Sequence, residues 1–338
     1  MLNAIQQINE SLQKRQVSLY LGVVVLAGLL GLLQPQFSQS LDSGIDPALG
    51  LLLFATFLAI PLTKLVEALR STRFLLAVMV LNFAIVPAVV WVLAQAVAQD
   101  QELQVGLLLV LLAPCVDYVI VFTRVAGGAH HQLLAATPVL MLLQMLLLPV
   151  YLTWFADGAL NEILDPEPFV RAFIWLILIP FAAALAIQVC ARRWPVISAA
   201  QTLMDFLMVP LMMIVLFLVI ASQVSAVSAD LNRIMSVVPL YLFFLIIMFP
   251  VGRTTARIFK LEGSSTRALV VSGATRNSLV VLPLALAMPS TLALVPAVVV
   301  AQTIIELIGM LAYVKLVPRF IANQESNAPT KSPQTAGE

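Results

Sequence analysis

The sequence predicts an all-α integral membrane protein of ten transmembrane helices, arranged as two inverted five-helix repeats with discontinuous fourth and ninth helices. Three observations lead there. Of the 338 residues, 61% are hydrophobic and only 10% charged, whereas a soluble domain carries about 25% charged residues; mean hydropathy is +1.03. The apolar residues gather into ten segments, most of them near the ~20 residues that cross the hydrocarbon core of a bilayer. Five segments fall in each half of the chain, and an odd number obliges the second half to enter the membrane in the opposite sense to the first.

Cutting at charged and Pro/Gly-rich breaks places the segments near 17–33, 47–63, 74–97, 103–126, 132–156, 169–190, 197–222, 234–252, 266–288 and 292–317. Such lengths read as helices, because a membrane barrel alternates polarity in strands of about ten residues. Ahead of them, Met1 to Gln16 is polar without a small-residue cleavage pattern, and reads as an amphipathic cytoplasmic lead-in. Orientation follows from Lys and Arg. With the N-terminus in the cytoplasm, 15 of the 18 basic residues fall in inner loops and tails, Arg171 and Arg233 fall outside, and Arg276 lies within a span. The outer loops are acidic, with Asp42, Asp46, Asp100, Glu102, Asp157, Glu162, Asp165, Glu167 and Asp230. A multi-pass protein of the inner (plasma) membrane with both termini cytoplasmic is expected. The longest outer loop, Asp157 to Pro168, separates a first repeat at 1–158 from a second at 159–322, and the polar tail 323–338 reads as disordered.

Within the fourth segment, Pro114, Cys115, Asp117 and Tyr118 fall within five residues. A lipid-facing helix has no use for them. Pro114 removes a backbone hydrogen bond, non-helical backbone at membrane depth survives only against protein or a wet cavity, and an ionisable group there marks function. The ninth segment carries a matching cluster, Ser272 to Ser278, with Arg276, Asn277 and Ser278. Two interrupted segments in corresponding positions point to a midplane site. Cys115 reads equally as a small buried hydrophobe or a soft ligand. Asp117 is expected to face a cavity or a partner. Buried Arg276 needs a carboxylate or an anionic ligand, and a bridge to Asp117 or contact with substrate would each serve. Glu306, in the tenth segment after Gln302 and Thr303, reads as a proton carrier or a partner of Arg276.

Other functions are excluded. The net charge of +1 leaves no broad basic surface for nucleic acid. Cys115 and Cys190 lie in different segments and imply no disulfide framework. His130 and His131 read as a solvated pair without a third ligand. Phosphate-loop, H-E-x-x-H and G-x-S-x-G signatures are missing, so neither an enzyme, a cofactor nor a metal site is implied, and transport would run on an ion gradient.

Leu81–Pro87 resembles the third-span asparagine–proline pattern of a known family. Gly106–Gly128, through Leu112–Cys115 and Val125–Gly128, is similar to that family's fourth-span signature, and Ile304–Glu306 to its tenth-span glutamate motif. On these residues the chain resembles the arsenite efflux permeases of the bile acid/arsenite/riboflavin transporter superfamily. The resemblance covers nearly all ten segments and implies a core of crossed, unwound fourth and ninth helices beside a panel of the others. It implies secondary export of arsenite or antimonite by proton antiport. Cys115 would be the soft contact, Glu306 or Asp117 the proton carrier, and Asp117, Tyr118, Arg276, Asn277 and Ser278 the remaining substrate contacts. The chain departs from that family at Leu279, where a glutamate is expected, at Arg276 within the asparagine pair, at Pro114, where arginine is usual, and at Asp117, where a small apolar residue is usual. The alternative is a sodium- or proton-coupled symporter of small organic anions of the bile-acid type. That branch's fourth-span Ser-Asn pair would fall on Val119 and Ile120, whose side chains cannot bind sodium, and its glutamine–asparagine pair is half kept as Arg276–Asn277. The partners implied are a metalloid or small anion, a coupling proton (with sodium the weaker candidate) and the lipid bilayer; no oligomeric state is implied.

Overall fold

The computed structural model describes residues 2–34, 41–59, 72–116, 118–155, 171, 173–191 and 195–322. Asp117, the loop 157–168 and the tail 323–338 lie outside them. Every described element is helical apart from one isolated bridge. The α-helices in chain order, with the π and 3-10 turns inside the third included, are α1 Leu2–Leu33, α2 Asp42–Ala59, α3 Thr72–Val97, α4 Gln101–Leu111, α5 Tyr118–Val125 and α6 His130–Phe155. There follow α7 Ile179–Ala191, α8 Pro195–Ala229, α9 Leu231–Ile258, α10 Gly263–Ala274, α11 Ser278–Leu286 and α12 Val295–Phe320.

Five described helices are long and apolar enough to cross a membrane: α3, α6, Phe206–Val224 of α8, α9 and α12. Mid-helix side chains such as Leu146 and Ile246 stay about two-thirds exposed, as a chain solvated by lipid requires. This is a multi-pass membrane protein. The other apolar stretches hold shorter helices, among them Ser18–Leu33, Ser43–Leu58, Gln101–Leu111 and Ile179–Gln188. The fourth and ninth segments fall short because each is broken in two.

The helices pack in two groups. In one, α8 lies against α1 and α2, and α2 also meets α7; in the other, α9 lies against α10 and α12, and α12 against α4 and α11. The groups meet where α12 touches α8 and α11 touches α2. Gly106 lets α4 approach α12, since a Cβ there would sit 2.7 Å from Val298 Cγ1. Within α3, Leu81–Ile85 forms a turn of π-helix, and the hydroxyl of Tyr151 donates to Phe83 O at 2.6 Å. Such wide turns re-aim a side chain, here Asn82.

Each end of the broken helices is tied down. At one end Asp100 caps α4 by accepting from Leu103 N at 3.3 Å. Arg233 of α9 donates to both Asp100 oxygens at 2.7 and 2.9 Å and to Glu102 at 2.8 Å, while Glu102 accepts from Leu294 N at the start of α12. The hydrogen bonds from Arg233 hold the Asp100 carboxyl below its ordinary range, against the opposing effect of burial. At the opposite end Arg267 donates to Ile321 O at 2.7 and 2.9 Å and to Ala126 O at 3.3 Å, tying α10 to the C-terminal ends of α12 and α5. Gly127 turns the chain there at φ +65°, a conformation that favours glycine.

Candidate functional site

The site is built from two interruptions. Helix α4 stops at Leu111, and Pro114 has no N–H with which to continue it. Helix α10 stops at Ala274, where Thr275 turns extended at φ −94° and ψ 136°. The two linkers run antiparallel, with Pro114 opposite Arg276. Cys115 N donates to Thr275 O at 3.3 Å, and Asn277 N donates to Ala113 O at 2.7 Å. Each break therefore supplies hydrogen bonds that the other has lost, which is the condition for non-helical backbone at membrane depth. Asn277 then starts α11, its Oδ1 accepting from Val280 N at 3.3 Å.

Arg276 is fully buried at this crossing. Its Nη1 donates to Leu111 O at 3.3 Å. Its Nη2 lies 2.9 Å from Asn82 Oδ1, 2.9 Å from Ser272 O and 2.8 Å from Gly273 O. The guanidinium carbon stands 5.4 Å from the centroid of the Phe244 ring, a cation–π distance. Three of these oxygens are the unpaired carbonyls that end α4 and α10, where a helix carries partial negative charge. Among the described residues, ion pairs within 4.0 Å involve Arg233 alone. The guanidinium of Arg276 is thus met by carbonyls and an amide; of the carboxylate or anionic ligand expected from the sequence, no carboxylate lies within 4.0 Å of it among those residues. A bridge to Asp117 falls outside them.

Glu306 of α12 meets the crossing differently. Its Oε2 accepts from the main-chain N of Arg276 at 2.9 Å and from Gln302 Nε2; its Oε1 lies 2.7 Å from the Tyr118 hydroxyl. That hydroxyl also lies 2.9 Å from Arg276 O. One phenolic proton faces two acceptors. Asn82 Nδ2, for its part, donates to Val78 O and to Ser272 Oγ.

Tyr118, Arg276, Asn277, Ser278 and Glu306 are thereby brought together, and Cys115 is buried in the same linker. Asp117 and the side chain of Cys190 lie outside the described residues. The rings of His130 and His131 lie 3.8 Å apart between centroids, tilted by 41° to each other. Among the described residues no group of three or more His, Cys, Asp and Glu could hold a metal ion. Asn82, Gln302 and Phe244 were not among the candidates. Asn82 and Gln302 had a signal, each being an amide in an apolar run.

Several buried polar atoms here have no hydrogen-bond partner: Arg276 Nε, Asn277 Nδ2, Gln302 Oε1 and Ser278 Oγ. The last lies close to the Tyr118 hydroxyl but outside hydrogen-bond geometry. Such groups cost free energy unless something binds them. Helices α5 and α11 also begin at the crossing, and their N-terminal ends favour negative charge. A cavity of about 350 Å³ lined by Arg73, Gln132, Lys260, Glu262 and Ser265 lies elsewhere and includes no residue of the crossing.

Comparison with known proteins narrows the choice. The profile of the sodium bile acid symporter family matches residues 46–230, more than half of the chain. An uncharacterized sodium-dependent transporter of Bacillus subtilis (strain 168), YocS, is 24% identical over 281 residues, covering 82% of this chain and 84% of that protein. Neither match carries the expected metalloid export. Both stand nearer to the organic-anion alternative.

Proposed function

The chain belongs to the sodium bile acid symporter family, and on that premise we propose that this transporter carries a small organic anion through the crossing of its two broken helices. One observation carries the reading: the two breaks pair with each other around a fully buried arginine. Two helix N-termini, the donors Asn277 Nδ2 and Ser278 Oγ, and the positive charge of Arg276 favour an anion there. The ten crossings, the inverted halves at 1–158 and 159–322, the cytoplasmic termini and the plasma-membrane location belong to this proposal.

Glu306 is the proposed proton carrier. The single proton of Tyr118 faces both Arg276 O and Glu306 Oε1, and a proton on Glu306 supplies the missing donor. A bound anion compensates Arg276 while Glu306 is neutral, so proton and anion travel together. Sodium, named for the family and for the relative, is the competing coupling ion. The test is uptake of labelled small carboxylates and sulfonates by proteoliposomes, with sodium and proton gradients imposed separately. Saturable, gradient-driven uptake of one of them supports the proposal. No uptake of any, with accumulation of arsenite instead, overturns it in favour of metalloid export. That second reading rests on Cys115, buried in the linker with its backbone tied to Thr275, and Cys115→Ser would then abolish the flux.

A further inference from the structure

The oxygens around Arg276 form an arrangement made for a cation. Nη2 has three of them at 2.8–2.9 Å, Asn82 Oδ1, Ser272 O and Gly273 O, and Nη1 has Leu111 O at 3.3 Å. All four belong to uncharged groups. Two carbonyls come from the C-terminal end of α10 and one from that of α4. Half-helix C-termini and unwound carbonyls are what transporters use to hold a coupling cation at the midplane. Here the charge is attached to the chain. The π turn of α3 supplies the fourth oxygen by aiming Asn82 inward, so three separate elements converge on one guanidinium.

We infer that the guanidinium of Arg276 is a tethered substitute for a dissociable cation, filling the oxygen cage between the two half-helix C-termini. A permanent occupant means that the crossing closes and reopens without binding or releasing sodium at this place. The inference deepens the transporter reading and rests on it, although the cation cage itself is independent of which anion is carried.

The cage can be tested without any substrate, by thermal unfolding of the purified full chain in detergent. Sodium, potassium, guanidinium and choline chlorides would be compared at constant ionic strength and millimolar concentrations. Wild type is expected to melt at one temperature in all four. Arg276→Ala removes the cation and strands its oxygens, and its melting temperature should fall by on the order of 5–10 °C. That loss should be recovered saturably by sodium, potassium or guanidinium and not by choline. Arg276→Lys keeps a tethered charge and should stay indifferent to the salt. Saturable stabilisation of the wild type by sodium overturns the inference. So does an Arg276→Ala protein that folds without any cation response, or one that aggregates in every salt. Failure of organic-anion uptake with the melting pattern intact would instead count against the transport reading alone.

Discussion

Removal of one oxygen, in Tyr118→Phe, isolates the hydrogen-bond chain that joins α5, α12 and the break of the ninth segment. The ring stays, and with it the edge contact to Phe122 at 5.9 Å between centroids. What is lost is the hydroxyl within 2.7 Å of Glu306 Oε1 and 2.9 Å of Arg276 O. Tyr118 and Glu306 are both buried, and the Tyr118 hydroxyl is the protein donor to Glu306 Oε1. A buried acceptor left without a partner costs about 1–3 kcal/mol. For a chain of 338 residues that corresponds to a fall of roughly 1–4 °C in melting temperature. The assay is thermal unfolding in detergent of Tyr118→Phe, Glu306→Gln and the double variant. If the two groups share a bond, the double loss should fall short of the summed single losses by about 0.5–3 kcal/mol. Strictly additive losses, or an unchanged Tyr118→Phe protein, would refute the chain and with it the proton assigned to Glu306.

Ser278→Ala removes a buried hydroxyl that has no protein partner, so the melting temperature should stay within about 1 °C while KM for the transported anion rises roughly tenfold, the worth of one hydrogen bond to a charged ligand; an unchanged KM removes Ser278 from the site. Gly106→Ala drives a methyl to within 2.7 Å of Val298 Cγ1 and 2.8 Å of its Cβ and should cost about 1–3 kcal/mol by overpacking, with Val298→Ala recovering little because the Cβ stays; stability equal to that of wild type would contradict the close approach of α4 and α12. Arg233→Gln breaks the ties to Asp100 and Glu102, whose side chains are 30% and 19% exposed against 40% for Arg233, so screening limits the loss to about 1 kcal/mol. Because the Asp100 carboxyl is held below its ordinary value of 3.8, the stabilisation it contributes is present above that value and is lost as pH falls through the lowered one. Melting curves of wild type and Arg233→Gln should therefore differ at neutral pH and converge only in strong acid; a gap that closes near pH 6 would contradict this.

How much of the site could be read beforehand follows from which residues carry their own signal. Pro114 announced its break because a missing N–H is a property of the residue. Arg276 and Glu306 stood out because charge in an apolar run is rare whatever surrounds it. The partners of Arg276 could not be read. They are carbonyls, and only the points where α4 and α10 end decide which carbonyls are unpaired. Asn82, an amide in an apolar run, carried a signal of its own, but the direction it faces is set by the π turn of Leu81–Ile85, which local pattern does not announce. Tyr118 and Glu306 are 188 positions apart, a distance that local pattern does not bridge. The substrate is not legible at Cys115 for a chemical reason: a lone thiol beside a proline is compatible with a metalloid ligand and with simple packing.

The central claim is that the transported anion sits where the two breaks pair. The most direct measurement places a reporter there: Ser278→Cys in a background of Cys115→Ser and Cys190→Ser, reconstituted and treated with a water-soluble thiol reagent. The account predicts that Ser278→Cys is modified in the absence of anion. It also predicts protection by the transported anion, half-maximal near the KM of uptake, and no protection by a non-transported anion of equal charge. Modification at an undiminished rate while uptake is saturated would contradict it, and would move the anion away from the crossing.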